Sequence, residues 1–440
     1  MLGNFQSALR ARIRPHQRVV MSRVHVRNFA KILRWEPDTK WARQMESIND
    51  CDEFCNFCLE HENEFTKRDW IASLTYLTTR RGVNIKSEPF KKYHSIVFDK
   101  RDLLLPNLHL VLHRYGVMSY APALWRFLPV LKVQLSIMTG RELSVCAWAL
   151  GRGLVGDPDI WTEIGNVSTK LAQAGRLAPK DLAQITWGYA AVERRSPKEL
   201  VLLKQEIRKQ LAHSATCFES GSSTSSSSSN KSSFGKTVSD ENVFSLQDLC
   251  MVLQSFITLT PNDLAFTHDI LRVVKIAITS KNVHLTAQAA VSIWDALATV
   301  SWKDQEFMEV LCEECRTLRM DHTFNQNMCS KLARAIKKLN CRDPRIIFQI
   351  TDYIDRKGET MRMQDLLSVA EVFADLKIDD ENAWKRISVR VQNRGMELDV
   401  KEIHRMQNAF IKSGRGNRRV FGMLELFLNV RLDQQQYGAC

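Results

Sequence analysis

Apolar positions between Arg141 and His213 recur at helical rather than alternating spacing, and they do so twice. Glu142-Leu143-Ser144-Val145-Cys146-Ala147-Trp148-Ala149-Leu150 matches Asp181-Leu182-Ala183-Gln184-Ile185-Thr186-Trp187-Gly188-Tyr189 in pattern. Each has an acidic residue, a leucine, and a tryptophan five residues after the leucine. Pro158 follows Trp148, and Pro197 follows Trp187, at the same distance, and a second apolar run comes after each proline. One unit of helix, turn and proline-started helix is therefore written twice, 39 residues apart. Leu182, Ile185, Trp187, Tyr189, Ala190 and Val192 are too densely apolar for a helix that faces solvent. Asp181 falls in the first turn, where a negative charge meets the positive end of the helix dipole. Ser196-Pro197-Lys198-Glu199 reads as a capping box with proline at the first helical position, and Leu200, Leu203, Ile207 and Leu211 form the stripe behind it. Asp157-Pro158-Asp159 opens the second helix of the preceding unit in the same way.

With the tryptophan position as anchor, the unit extends to Thr75, Leu112, Trp148, Trp187, Gln254, Trp294, Ala333, Glu371 and Asn408, at gaps of 37, 36, 39, 67, 40, 39, 38 and 37. An acidic residue and an apolar one precede several anchors: Asp69-Trp70, Glu142-Leu143, Asp181-Leu182, Asp248-Leu249, Asp365-Leu366 and Glu402-Ile403. A proline or acidic residue returns about ten residues after the anchor, at Pro122, Pro158, Pro197, Asp304, Pro344 and Glu381. Repeats of this period mean a solenoid. The expected fold is all-α: an α-solenoid of about nine helix-turn-helix repeats with a period of about 38 residues. Trp148, Trp187 and Trp294 are expected between adjacent helices. The long gap holds a serine-rich run, Ser225–Ser229 at its centre, which lacks the apolar surface to offset its ordering entropy. Residues 214–243 are expected to form a disordered insert, with helical repeats over 36–213 and 244–440.

The chain has 440 residues, 44% hydrophobic and 25% charged, which is ordinary globular composition. No apolar run approaches the roughly 18 residues of a spanning helix. Leu103–Val111 comes nearest, and His109, His113 and Arg114 interrupt it. Net charge is +13, but residues 1–35 hold eight of the 62 Lys/Arg and none of the 49 Asp/Glu. Without them the net charge is only +5, so any RNA contact would rest on local patches. Residues 1–35, Arg-rich and with Phe5, Leu9 and Ile13 on one helical stripe, have the profile of a mitochondrial transit peptide. The expected location is the mitochondrial matrix.

The candidate chemistry is sparse. Cys51-Asp-Glu-Phe-Cys55-Asn-Phe-Cys58 has the C-x3-C-x2-C spacing of an iron–sulfur cluster loop, yet its flanks read as helix and no strand pattern follows. On a helix these cysteines share one face, where cysteine behaves as a small apolar residue. Cys312 and Cys315 show the same helical spacing. Gly235-Lys236-Thr237 resembles the end of a P-loop but lacks the upstream glycine, which is Asn230, and the preceding strand. No HExxH, GxSxG or complete GxGxxG occurs. The chain is expected to be no enzyme and to need neither metal nor cofactor. Basic residues gather in two places. Lys331, Arg334 and Lys338 share a helical face opposite Leu332, Ala333, Ile336 and Leu339, with Lys337, Arg342 and Arg345 nearby. Lys412, Arg415, Arg418 and Arg419 surround the glycine-punctuated Gly414–Asn417. These ten are the candidate RNA-binding residues, since aligned cations suit phosphates.

The Trp-Ala-Leu and Trp-Gly-Tyr-Ala signatures after an acidic-Leu start, at Leu143–Leu150 and Leu182–Ala190, resemble organellar helical repeats. These are the octotricopeptide and heptatricopeptide repeats and the helical part of FASTK-like proteins. The resemblance spans about Asp69 to Leu432. It implies an RNA-binding protein of the organelle, a mitoribosome component or a factor stabilising rRNA or mitochondrial transcripts, with other mitochondrial proteins as partners. Many such proteins end in a RAP domain; the C-terminus here, Phe421–Leu432, still reads as helix. That difference favours binding or scaffolding over nuclease-like activity. The alternative is a protein–protein scaffold, an accessory or assembly subunit of another mitochondrial complex.

Overall fold

The computed structural model describes residues 40–79, 83–219, 242–280, 285–317 and 324–437. The expected transit peptide lies outside these residues, as does 220–241 of the expected insert. All regular structure among the described residues is helical. The chain divides into two compact units at Asn84.

The first unit contains α1 (Ala42–Ser47), α2 (Cys51–Glu60) and α3 (Lys67–Thr79). Asp50 caps α2, accepting from the Asp52 and Glu53 N–H groups at 2.9 Å each. Cys51, Cys55 and Cys58 therefore sit on a helix; Cys55 and Cys58 are buried and Cys51 half-buried. Trp41 stacks on His61 at 4.3 Å and reaches Phe65, which meets Trp70 edge-on at 5.2 Å. Thr75, the first anchor, lies on α3.

The second unit begins with α4 (Glu88–Asp99) and the short α5 (Arg101–Leu104). Eight helix pairs follow: α6 (Leu108–Met118) with α7 (Ala121–Gln134), α8 (Gly140–Arg152) with α9 (Pro158–Gln173), α10 (Pro179–Ala191) with α11 (Pro197–Glu219), and α12 (Leu246–Leu259) with α13 (Leu264–Thr279). Then come α14 (Ala287–Val300) with α15 (Gln305–Thr317), α16 (Gln326–Leu339) with α17 (Pro344–Lys357), α18 (Met363–Leu376) with α19 (Glu381–Arg394), and α20 (Val400–Ser413) with α21 (Arg418–Tyr437). From α8 to α20 the helices pack mainly on the one two places along, while the terminal α7 and α21 lie chiefly against their own partners α6 and α20. The even-numbered helices α6 to α20 form one layer, and α7 to α21 form the other. This is the α-solenoid that the repeat implied, and the eight remaining anchors all fall on first-layer helices.

The repeated residues explain the stacking. In α8, α10, α12 and α20 an acidic residue three places in closes the helix N-terminus. Asp248 accepts from the Ser245 hydroxyl at 2.5 Å, Glu142 from Thr139 at 2.9 Å, and Asp69 in the first unit from Thr66 at 2.6 Å. Asp181 and Asp365 are also buried, where they accept from Ser144 and Ser330 of the preceding repeat at 2.8 and 2.9 Å. Pro122, Pro158, Pro197 and Pro344 open second-layer helices, where a missing N–H costs nothing. Every first-layer helix but α12 ends in a turn through one left-handed residue: Ser119, Leu154, Glu193, Ser301, Asn340, Lys377 or Gly414.

Two expectations need correction. The helix α11 runs to Glu219, so the insert cannot begin at 214; Ser214 is buried and its Oγ accepts from the Phe244 N–H at 3.1 Å. Trp187 and Trp294 are buried as expected, but Trp148 is only half-buried. Its ring lies between His113 at 5.0 Å and Trp187 at 6.1 Å, so its partners are rings on the neighbouring first-layer helices.

Candidate nucleic-acid interface

The helix α16 is strongly two-sided because its apolar positions repeat at three and four. Leu332, Ala333, Ala335, Ile336 and Leu339 are buried, and the cations are left on the open side. Arg334, Lys337 and Lys338 are exposed and Lys331 is half-buried. The same first-layer face continues onto α14 and α18, where it carries carboxylates. Lys331 lies 3.9 Å from Asp295 of α14, and Lys337 pairs with Asp375 of α18. Lys338 reaches the Thr299 carbonyl of α14 at 3.4 Å. From the other side, Lys412 of α20 also pairs with Asp375, and Arg405 of α20 holds Glu371 of α18 through two bonds of 2.6 and 2.7 Å.

The two basic clusters, separate in sequence, are thus brought onto one face by α18, whose carboxylates lie between them. Burial raises the Asp375 carboxyl, but the hydrogen bonds from Lys337 and Lys412 outweigh it and leave it below the ordinary carboxylate value. The face still carries an excess of positive charge: Lys331, Arg334, Lys337, Lys338, Lys401, Arg405 and Lys412 against Asp295, Glu371 and Asp375. Arg334 has no carboxylate partner among the described residues.

The remaining candidates sit at the turns. Arg345 is held by Asp343 at 2.6 Å and Glu313 at 3.0 Å, which raises its already high pKa. Arg415 pairs with Asp379 in the turn after α18. Arg342, Arg418 and Arg419 are exposed, and none forms an ion pair among the described residues. Five of the ten candidates, Lys331, Lys337, Arg345, Lys412 and Arg415, are therefore committed to carboxylates within the fold.

Sequence reading missed Lys401 and Arg405. The signal was present: they recur at i and i+4 on α20, but Glu402 beside them made the stretch look neutral. The acid–base alternation between helices could not be seen from within one repeat. No group of three or more His, Cys, Asp or Glu side chains is arranged to hold a metal ion among the described residues. No protein-family model matches the chain, and no curated protein shows significant similarity to it. Among the described residues no helix is long and apolar enough to cross a membrane.

Proposed function

We propose that this chain is a mitochondrial helical-repeat RNA-binding protein, a component of the mitochondrial ribosome or a factor that stabilises rRNA or transcripts. The observation that carries the reading is the first-layer face of α14 to α20, where cations outnumber carboxylates. On that face exposed Arg334 has no carboxylate partner among the described residues and Lys338 has only a carbonyl. Cations already paired within the fold would have to give up those bonds before meeting a phosphate. Unpaired ones would not, so Arg334 and Lys338 are the residues to contact RNA. The repeat signatures at Leu143–Leu150 and Leu182–Ala190 support the RNA class through their resemblance to organellar repeats. The acid-free, arginine-rich residues 1–35 support the location.

Binding of mitochondrial RNA to the full chain is expected to fall steeply with salt, because each neutralised phosphate releases counterions. Reversing Arg334 and Lys338 together should weaken binding. It should also flatten the dependence of log K on log salt by about 0.7–0.9 for each phosphate no longer neutralised. Unchanged affinity and slope in this variant would remove the α16 face from the reading. A scaffold reading has its own support: Phe348, Val389 and Leu426 are exposed apolar side chains on successive second-layer helices. Native pull-downs that recover proteins with no RNA enrichment would favour it.

A further inference from the structure

The second-layer helix α7 is apolar on the side that it turns away from the solenoid. Leu124, Phe127 and Leu131 face inward and are fully buried. Pro122, Trp125, Pro129 and Val133 return at steps of three and four on the opposite side, and all four are exposed. Ile137, in the 3-10 turn that follows, extends the row. Trp125 keeps 47% of its surface open, and Val133 and Ile137 keep 75% each. Exposed apolar side chains are ordinarily scattered singly, whereas these line a stripe about 16 Å long from Pro122 to Val133. The next second-layer helix, α9, has Thr162, Asn166 and Lys170 exposed. Pro129 also has no N–H to give to the Trp125 carbonyl, so the stripe holds an acceptor without its helical donor.

We propose that the α7 stripe is the docking surface for an amphipathic acidic helix of another protein. Charge identifies the partner. The helix α7 has no carboxylate of its own, and Arg126 and Lys132 flank the stripe on its two sides. Their ion pairs, with Asp99 of α4 and Asp159 of α9, are 3.8 Å long, beyond hydrogen-bond reach. Residues 85–139 hold eight Lys/Arg against three Asp/Glu, a net charge of +5. A helix with apolar residues at the same three-and-four spacing covers the stripe, and Asp or Glu beside them meets both cations. Two copies of this chain joined here about a two-fold axis would instead set like charges together. RNA phosphates would meet the cations but leave the aliphatic Pro129, Val133 and Ile137 unburied. A bilayer is wider than one helix and would press the polar side of α9, where the Asp159 side chain is 81% exposed, against lipid. The stripe belongs to the second layer and the cationic face of α14 to α20 to the first, so protein and RNA need not compete for the chain.

The probe is a fluorescent synthetic helical peptide with leucines spaced three and four residues apart and glutamates on both flanks. Titrated with the full chain, its anisotropy should rise and saturate. The same peptide with lysines for the glutamates should bind roughly tenfold more weakly. Val133→Asp and Trp125→Ala should each weaken binding of the glutamate peptide by about tenfold. Val133 is exposed enough for the Asp variant to keep its fold, which circular dichroism checks. Mitochondrial RNA should bind that variant as it binds the wild type, so a chain that binds no RNA leaves the peptide test intact. No saturable binding of the glutamate peptide overturns the proposal, as does equal binding of the two peptides or a Val133→Asp variant that binds like the wild type. Self-association in sedimentation that Val133→Asp abolishes would give the stripe to a second copy instead. Binding to phosphatidylcholine vesicles containing cardiolipin, lost in the same variant, would give it to a membrane surface. Loss of RNA affinity in that variant would give it to RNA.

Discussion

The Ser144 hydroxyl donates to the Asp181 carboxylate across 2.8 Å, joining one repeat to the next at the N-terminal ends of their first helices. The same carboxylate accepts the Ala178 N–H at 3.3 Å and lies 3.7 Å from Arg141. One residue thus caps its own helix and holds the preceding one. Asp181→Ala should cost about 2–3 kcal/mol, combining a lost cap with a buried hydrogen bond. Glu142→Ala should cost only about 1 kcal/mol, because Glu142 caps α8 from a half-exposed position. Urea unfolding of these two variants, of Ser144→Ala and of the Ser144→Ala/Asp181→Ala double variant checks this. If the double variant is simply additive, the inter-repeat bond contributes nothing.

The helices α8 and α10 approach so closely that glycine becomes the only residue that fits. A Cβ on Gly188 would lie 2.6 Å from the Ala147 carbonyl oxygen and 2.9 Å from the Trp161 ring. A backbone oxygen cannot move aside as a flexible side chain could. Gly188→Ala should therefore destabilise by about 1–3 kcal/mol through overpacking. Gly422, on α21, has nothing within 4 Å of such a Cβ. There the same exchange should stabilise by about 0.5–1 kcal/mol through helix propensity. Conversely, Leu154 is exposed and left-handed at φ 54°, so Leu154→Gly should relieve up to about 1 kcal/mol of backbone strain. Thermal melts of the three variants should shift in these opposed directions. A uniform loss would show that these sites answer to something other than backbone geometry.

The repeat was legible in the sequence because its marks are local. The acidic residue, the apolar stripe and the proline act on the helix that carries them, and each lies where the period put it. What was not legible depends on the neighbouring repeat. Trp148 looked like core because tryptophans usually are. Its stack between His113 and Trp187 is set by ring positions 35 and 39 residues away. The left-handed turn residue recurs six or seven residues after the anchor, but only Gly414 in the series is a glycine, so no residue type marked it. The cations of α16 and Lys412 of α20 were found, but Lys401, Arg405 and the balance of the face were not, since Asp295, Glu371 and Asp375 lie on other helices or far along the chain. The end of α11 was misplaced because Ser214 reads as the start of a serine-rich run, whereas its hydroxyl bonds across the insert to Phe244.

His113 gives the solenoid an acid-sensitive joint. Burial lowers its pKa to about 3, with Arg114 and Arg141 adding positive charge nearby and His109 and Lys180 contributing less. Burial likewise lowers His94 to about 4, beside Arg126. An unfolded histidine titrates near pH 6.5, so the unfolded chain takes up protons that the folded chain refuses. Stability from this source is therefore complete above about pH 6.5 and is lost as the pH falls toward the folded values. Each histidine should contribute a slope of up to about 1.4 kcal/mol per pH unit. Asp263, Asp304, Asp343 and Asp375, whose pKa values are lowered, make their own losses at more acid pH. The interval from about pH 6.5 to 5 lies above those losses, so it reports the histidines together with Asp248, whose carboxyl burial raises. His113→Phe retains a ring against Trp148 and removes the titration, so its stability should fall less steeply across that interval than the wild type's. Denaturant midpoints at a series of pH values measure both slopes, and equal slopes would mean that His113 accepts its proton without leaving the fold.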